Sequence, residues 1–287
     1  MADAQWSPSQ VTIDRDEAGE LTFDLWTSGP ADGRVVLALH GFPQGAQSYR
    51  EVAGLLAAQG IRTIAFDQRG YSPAARPERV DLYRDDILAD DAIAVARALG
   101  HDQVHLVGHD WGSHIAWVTA ARYPETVTTL TAVSVPHPAA YADAYKNDED
   151  QAKRAEYIKY FWKVGVAEDG LLADDARRLR AALDDVPPEL IDYYVDRLRK
   201  PGALTAALNY YRAMHPGSAS TPHVTTPTTY VWSDNDQALG RVGAEACERY
   251  VDADYRFVVL DGVSHWIPER APQALADAIA ARVLATP

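Results

Sequence analysis

The strongest constraint on the fold of this chain is a short strand that runs into a Gly-rich turn and then into a helix. The strand is the apolar run 104–107, the turn is Gly108-His-Asp-Trp-Gly112, and the helix follows over 113–123. This order is the context of a nucleophile elbow, in which a Gly-x-Ser-x-Gly turn lifts a nucleophile above the end of a sheet. The sequence therefore predicts an α/β fold with a reactive side chain at position 110.

The central residue of this turn is Asp110 where such elbows usually carry serine. A carboxylate is already ionised at neutral pH and needs no base to activate it for attack. Its attack on a saturated carbon would form an ester that water can then hydrolyse. The aspartate therefore favours epoxide opening or halide displacement over ester cleavage. A simpler interpretation stays open at this point, because Asp110 could serve only as the N-cap of the following helix.

Composition limits the other classes of function. The chain has 287 residues, 47% of them hydrophobic, which is enough for one large α/β domain with an insertion. Its formal net charge of -14, with no Lys/Arg cluster, argues against nucleic-acid binding. Residues 1–8 do not resemble a signal peptide, and no apolar run reaches transmembrane length. We therefore predict a cytoplasmic protein that does not contact membranes.

The pattern along the chain predicts a mostly parallel sheet. Two alternating segments, 11–13 and 21–26, indicate an opening hairpin. Apolar strand-like segments then alternate with helix-like ones; the strand candidates are 35–39, 61–66, 104–107, 130–135, 228–232 and 257–260. Continuous apolar strands alternating with helices are typical of a sheet that is covered by helices on both faces.

This alternation is interrupted between Pro136 and about Pro216, where we find only helical segments. The breaks between them are predicted at Asp169-Gly170, Pro187-Pro188 and Pro201-Gly202. We therefore predict a core domain formed by residues 1–136 and 217–287 and a helical cap formed by residues 137–216. Such a cap would lie over the carboxyl ends of the strands, where open α/β sheets place their ligand sites.

An oxyanion hole and a catalytic acid and base can be sought at the other strand ends. The loop His40-Gly-Phe-Pro43 follows a predicted strand. From such a loop, the backbone N–H of Phe42 could complete an oxyanion hole with the N–H of Trp111, the residue after the nucleophile. An acid and then a histidine should follow the nucleophile in chain order.

Two acids and one histidine fit that order. Asp234 and Asp236 come at the end of the strand predicted over 228–232, and His265 comes just past the last predicted strand. An isolated histidine after a strand is usually a surface residue, but three suitable residues at three strand ends favour a catalytic triad. Position alone does not choose between the two aspartates.

Taken together, these motifs resemble the α/β-hydrolase-fold epoxide hydrolases over nearly the whole chain. The shared segments are His40-Gly-Phe-Pro43, Asp67-Gln-Arg-Gly-Tyr71, Gly108-His-Asp-Trp-Gly112 and Gly262-Val-Ser-His-Trp266. The resemblance implies an α/β-hydrolase fold with a helical cap, and it assigns the role of the acid to Asp236.

The resemblance also implies two tyrosines that contact the epoxide oxygen. The segment Leu208-Asn-Tyr-Tyr-Arg212 is similar to the family segment that carries one of them, which corresponds to Tyr211. The segment Tyr157-Ile-Lys-Tyr-Phe161 is similar to the segment of the partner, and Tyr157 matches best. Tyr160, one helical turn away, is the alternative if the register differs.

The activity implied by the resemblance is hydrolysis of an epoxide to a vicinal diol through a covalent ester of Asp110. The substrate would be a small and largely apolar epoxide, and neither a cofactor nor a metal would be needed. A homodimer stays open. His265, oriented by Asp236, would activate the water that hydrolyses the ester.

Other functions are also considered. Haloalkane and haloacid dehalogenases share the aspartate elbow, but this chain has Phe42 and Ile158-Lys159 where groups that hold a halide are expected. It has Trp111 and His114 where haloacid dehalogenases carry arginines. An ester or lactone hydrolase, or a catalytically weak ligand receptor on the same fold, remains as a further alternative. The complete triad and the paired tyrosines argue against the receptor.

Overall fold

A computed structural model gives the fold of residues 6–15, 17–183, 185–214 and 221–285. Its strands are β1 (Ser7–Arg15), β2 (Gly19–Ser28), β3 (Arg34–Leu39), β4 (Ile61–Phe66), β5 (Val104–His109), β6 (Val127–Val133), β7 (Thr228–Ser233) and β8 (Tyr255–Leu260). They form one sheet in the order β1-β2-β4-β3-β5-β6-β7-β8. β2 pairs antiparallel with β1 and β4, and all other neighbours are parallel. The mostly parallel sheet and its opening hairpin are therefore confirmed.

The helices in the described residues are α1 (Arg50–Ala57), α2 (Asp85–Ala98), α3 (Trp111–Arg122), α4 (Pro138–Asn147), α5 (Glu149–Arg154), α6 (Glu156–Phe161), α7 (Val166–Ala182), α8 (Pro188–Leu198), α9 (Ala203–Ala213), α10 (Arg241–Ala246), α11 (Ile267–Arg270) and α12 (Pro272–Ala285). Six of them, α4 to α9, lie between β6 and β7 and form a helical insertion. The predicted boundary at 216–217 falls within 215–220, outside the described residues.

The central strands are mostly apolar because helices cover both faces of the sheet. In β3, Val36 and Ala38 face α1 and α12, whereas Leu37 and Leu39 face α2 and α3. All four residues are at most 1% exposed. Alternate side chains of a strand point to opposite faces, so a strand buried on both faces favours apolar residues at successive positions.

The helix boundaries of the insertion agree with two of the three predicted breaks. α8 starts at Pro188 and α9 starts directly after Gly202. The predicted break at Asp169-Gly170 is wrong, because both residues lie within α7, which leaves helical geometry only at 173–176. A Cβ at Gly170 would lie 1.9 Å from the hydroxyl oxygen of Tyr160. The glycine therefore makes room for a side chain and does not end the helix.

Two polar contacts fix the insertion to a loop of the core. Arg197 of α8 forms an ion pair of 2.5 Å with Asp67, a fully buried residue, and the hydroxyl of Tyr210 of α9 donates to the carbonyl oxygen of Arg69 at 2.8 Å. The other oxygen of Asp67 accepts the N–H of Ala46 at 2.9 Å. The loop over 67–71, one of the motifs singled out in the sequence, thus connects the core to the insertion.

No helix in the described part of the chain is long and apolar enough to cross a membrane. Residues 1–5, on which the expectation about a signal peptide partly depends, lie outside the described residues. The cytoplasmic location and the homodimer stay predictions.

Candidate active site

The turn between β5 and α3 has the strained geometry of a nucleophile elbow. Asp110 has φ 54° and ψ -120°, a backbone conformation that residues other than glycine rarely adopt. The glycines on either side are needed because the backbone crosses itself closely here. A Cβ at Gly108 would lie 2.0 Å from the carbonyl oxygen of Gly112, and a Cβ at Gly112 would lie 2.0 Å from the carbonyl oxygen of Leu39.

We expect Gly112→Ala to destabilise the protein strongly, since the added methyl group would overlap a backbone atom of the central strand β3. Overpacking of this kind costs about 1–3 kcal/mol or more in the free energy of unfolding. Gly54→Ala in α1 is the matched control, because no atom lies within 4 Å of its added Cβ. That change should raise the free energy of unfolding by about 0.5–1 kcal/mol. Urea unfolding of both variants measures the difference, and equal midpoints would contradict the crowding at Gly112.

The carboxylate of Asp110 faces the predicted oxyanion donors. The backbone N–H of Phe42 donates to Oδ1 of Asp110 at 2.7 Å, and the backbone N–H of Trp111 is near enough to help lower the pKa of this carboxyl. Asp110 stands at the N-cap position of α3 but makes no capping hydrogen bond with its side chain. The interpretation of Asp110 as only a helix cap is therefore wrong.

His265 lies between two carboxylates. Its Nε2 is 3.4 Å from Oδ2 of Asp110, and its Nδ1 is 2.8 Å from Oδ2 of Asp236. All three residues are at least 93% buried, and each follows a different parallel strand of the sheet, β5, β7 or β8. The structure thus brings together the three residues that the sequence placed at separate strand ends.

The two candidate acids differ in what they contact. The backbone N–H groups of Ala238 and Leu239 donate to Oδ1 of Asp236 at 2.8 and 3.0 Å, which leaves Oδ2 for the histidine. Asp234 is exposed and accepts the N–H of Gly262 at 2.7 Å. Asp234 therefore fixes a surface loop, and only Asp236 contacts the histidine.

The charges of Asp110, His265 and Asp236 stabilise one another. Burial alone lowers the pKa of His265, but the charges and hydrogen bonds of Asp236 and Asp110 outweigh it and raise the pKa to about 10. Burial alone would raise the pKa of Asp110, but the hydrogen bond and positive charge of His265 hold it below its usual value. At neutral pH the site thus contains an ionised Asp110 beside a protonated His265.

The two predicted tyrosines meet above this carboxylate. Tyr157 of α6 and Tyr211 of α9 have ring centroids 6.2 Å apart, and both line the same cavity as Asp110. Tyr211 is 3% exposed, whereas 39% of Tyr157 is exposed, because one side of Tyr157 forms a wall of an internal cavity. Burial first, and then the negative charge of Asp110 nearby, raises the pKa of both phenols well above the usual value. Both are therefore hydrogen-bond donors.

Tyr160 points away from this group. Its hydroxyl donates to the carbonyl oxygen of Val166 at 3.0 Å, and the guanidinium of Arg178 stacks over its ring at 5.4 Å. Only Tyr157 of the two alternatives lines the cavity with Tyr211.

The cavity has a volume of about 550 Å³ and is bordered by the elbow and the insertion. Asp110, Trp111, Tyr157 and Tyr211 contribute to its wall. Most of the rest is apolar or aromatic and includes Val135, Tyr141, Tyr145, Ile158, Trp162 and Met214. Within the described residues, no group of His, Cys, Asp and Glu side chains could hold a metal ion. The arrangement can position an apolar molecule between a carboxylate and two phenols.

Three polar residues near His265 were missed by the sequence analysis. They are Gln44, His109 and Glu269, which are joined by hydrogen bonds to one another and to the backbone of His265. No spacing rule points to Gln44 or Glu269, because Gln44 lies in the loop after β3 and Glu269 lies in the short helix α11, far apart in the sequence. His109 lies within the elbow, and a histidine inside an apolar strand is the one signal that could have drawn attention.

Comparison with known proteins agrees with this geometry. A family model for the α/β-hydrolase fold matches residues 34–272 of the chain. This chain belongs to the α/β-hydrolase family. Within the family, the AB hydrolase superfamily protein YfhM of Bacillus subtilis is 34% identical over 260 residues, which cover 88% of this chain and 91% of the relative.

Other α/β-hydrolases similar to this one are named epoxide hydrolases. Epoxide hydrolase 3 of Xenopus tropicalis is 31% identical over 267 residues, covering 88% of this chain and 72% of the relative. A solved structure of an epoxide hydrolase from metagenomes of hot environments superposes with a TM-score of 0.85 at 27% identity, covering 97% of this chain and 99% of the other. These relatives support the epoxide hydrolase function that the sequence resemblance implied.

Proposed function

We propose that this protein hydrolyses a largely apolar epoxide to a vicinal diol, with Asp110 as the nucleophile. The observation that carries the proposal is the meeting of one ionised carboxylate and two phenols, Tyr157 and Tyr211, in an apolar cavity. A carboxylate can attack a ring carbon while the phenols donate to the ring oxygen. Residues 137–216 would form the cap that places the tyrosines over the core.

In the first step, an oxygen of Asp110 forms a bond to an epoxide carbon as the carbon–oxygen bond of the ring breaks. Oδ1 accepts the N–H of Phe42, so the attacking atom is Oδ2. Tyr157 and Tyr211 donate hydrogen bonds to the ring oxygen and stabilise the charge that develops on it, and one of them supplies its proton. The product of this step is a hydroxyalkyl ester of Asp110.

The second step uses His265 as the base. Esterification removes the negative charge of Asp110, which is one of the two carboxylate charges that raise the pKa of His265. The pKa of His265 therefore falls in the intermediate, and its proton restores the phenol that protonated the alkoxide in the first step. The neutral histidine then accepts a proton from water as the water attacks Cγ of Asp110, and the N–H groups of Phe42 and Trp111 stabilise the oxyanion on Oδ1. The diol leaves with this proton from His265, the carboxylic acid formed on Asp110 gives its own proton back to His265, and Asp236 keeps the imidazole oriented.

The origin of the oxygen atom tests this mechanism. In a single turnover in heavy-oxygen water, with enzyme in excess, the diol should carry only ordinary oxygen, because the new oxygen comes from Asp110. Mass spectrometry of the diol measures the label. Heavy oxygen in this first diol would show direct attack by water and would exclude the covalent ester.

A dehalogenase is the second candidate, since it would use the same aspartate. Phe42 presents an aromatic ring, packed 5.4 Å from the ring of Phe161, where a halide-binding side chain would be expected. Incubation with haloalkanes and haloacids should therefore release no halide under conditions in which an epoxide is hydrolysed.

A further inference from the structure

A hydrogen-bonded chain of three polar side chains, Gln44, His109 and Glu269, lies behind the catalytic histidine and takes no part in the two steps above. Nε2 of Gln44 lies 2.6 Å from Oε1 of Glu269, and Oε1 of Gln44 lies 3.0 Å from Nδ1 of His109. Nε2 of His109 lies 2.8 Å from the carbonyl oxygen of His265. The hydroxyl of Tyr194, from helix α8, also donates to Oε1 of Glu269 at 3.1 Å.

The protons of this chain are limited to two complementary arrangements. In the first, the Gln44 oxygen faces His109, so both imidazole nitrogens face acceptors, Gln44 and the His265 carbonyl. His109 must then carry two protons and a positive charge, and Glu269 is ionised. A neutral His109 in this arrangement would place a lone pair against an oxygen at one of its two contacts.

In the second arrangement the Gln44 amide is rotated by 180°, which exchanges its oxygen and nitrogen. Its NH2 then donates to Nδ1 of His109, and the N–H at Nε2 of His109 donates to the His265 carbonyl. The Gln44 oxygen now faces Oε1 of Glu269 at 2.6 Å, so Glu269 must be protonated and donate to it. Every group of the chain is then neutral. The rotation breaks one long hydrogen bond, in which the N–H of Gly41 donates to Oε1 of Gln44 at 3.3 Å.

Burial decides between the two arrangements. The first places two charges in the interior, one on His109, whose ring centroid is 4.9 Å from that of the protonated His265. It also leaves Oε2 of an ionised Glu269 buried with no hydrogen-bond partner. Burial raises the pKa of Glu269 to about 7, and burial together with His265 lowers the pKa of His109 to about 4. The neutral arrangement is therefore the one that the protein adopts below about pH 7.

We propose that Glu269 is a positioning residue that acts as a protonated acid, and that through Gln44 and His109 it holds the backbone of His265 for hydrolysis of the ester. This role rests on the proposed function. The titratable groups that act on Glu269 are the phenols of Tyr194 and Tyr49 and the imidazole of His265, and His109 is joined to it through Gln44. None of them is a carboxylate, so ionisation of Glu269 is the event that adds negative charge to this chain as the pH rises.

Two variants distinguish the hydrogen bond donated by Glu269 from the space that its side chain fills. Glu269→Gln keeps the shape and can donate an N–H to the Gln44 oxygen, as the protonated acid does, whereas Glu269→Leu cannot. At pH 6, ester hydrolysis in single-turnover kinetics, followed by tryptophan fluorescence, should be nearly unchanged in Glu269→Gln. It should be about tenfold slower in Glu269→Leu, because one buried hydrogen bond is lost. Alkylation of Asp110 should change less than threefold in both.

The pH dependence supplies a readout that a merely structural role would not change. In the ratio of the wild-type rate constant for ester hydrolysis to that of Glu269→Gln, the pH dependence that remains is the part caused by Glu269, through its own ionisation and through its charge near His265. This ratio should be near one at pH 6 and should fall about tenfold as the pH rises through about 7, when Glu269 ionises. A flat ratio, or equal rates for the Gln and Leu variants, would overturn the proposal.

Infrared spectroscopy tests the protonation state without any turnover. The difference spectrum between the wild type and Glu269→Gln at pH 6 should contain the carbonyl stretch of a protonated carboxylic acid, and this band should disappear as the pH rises. Its absence at pH 6 would overturn the proposal even if Glu269→Leu failed to fold. If no epoxide were hydrolysed, the proposed function would fail, while the infrared band would still decide the state of Glu269.

Discussion

Replacing His265 by alanine should produce a protein that one equivalent of epoxide alkylates on Asp110 and that then stalls. The attack by Asp110 needs an ionised carboxylate and the two phenols, whereas hydrolysis of the ester needs a base, and His265 is the imidazole within 3.4 Å of the carboxylate. Multiple turnover should fall by about two to four powers of ten, since a general base contributes roughly 10²–10⁴ in rate. Intact-protein mass spectrometry should show an increase equal to the whole substrate.

Asp110→Ala is the control for this experiment, because it removes the proposed site of modification and leaves His265 in place. Its mass should stay unchanged after the same incubation, and peptide mapping of the His265→Ala protein should place the adduct on Asp110. An unmodified His265→Ala protein, tested with an epoxide that the wild type hydrolyses, would contradict the division of the reaction into two steps.

The largest effect on the first step is expected from the double change Tyr157→Phe and Tyr211→Phe. Each phenol alone can still donate to the ring oxygen, so each single variant should alkylate Asp110 about 10- to 100-fold more slowly. This range corresponds to the loss of a hydrogen bond to a charged group, roughly 1.5–3 kcal/mol. The double variant should be nearly inactive, because no acid remains to stabilise the developing alkoxide. Stopped-flow measurement of alkylation separates this step from ester hydrolysis.

Tyr160→Phe is the matched control for the tyrosines. This change also removes a phenol hydroxyl from α6, but the hydroxyl of Tyr160 donates to the carbonyl oxygen of Val166 and lies away from the cavity. Its alkylation rate should equal that of the wild type. If the double variant kept most of its epoxide turnover, either the assignment of the two tyrosines or the reaction would be wrong.

The sequence predicted the scaffold because the signals for it are local. A strand buried on both faces is mostly apolar, and the short apolar runs in β3 and β4 have this pattern. The elbow was predicted from a five-residue turn whose glycines are needed for close backbone contacts. Chain order and strand ends were then enough to nominate Asp110 and His265.

The choices that depend on loop paths and on side-chain direction could not be made from residues alone. Asp234 and Asp236 end the same strand, and only the path of the loop directs Asp236 toward the histidine. Tyr157 and Tyr160 are less than one helical turn apart, and the packing of α6 decides which one lines the cavity. Gly170 was misinterpreted because a glycine required by a neighbouring ring has the same sequence signature as a glycine that ends a helix.

The contact between the N–H of Phe42 and Oδ1 of Asp110 makes the two carboxylate oxygens inequivalent. In the proposed reaction Oδ1 stays in the oxyanion hole throughout, whereas the oxygen opposite to it leaves with each diol and is replaced by one from water. The enzyme therefore always passes on the oxygen of the previous turnover. One carboxylate oxygen of Asp110 is kept through all turnovers, and the other is exchanged in every cycle. The exchangeable oxygen of the resting enzyme therefore comes from the water molecule used in the previous turnover.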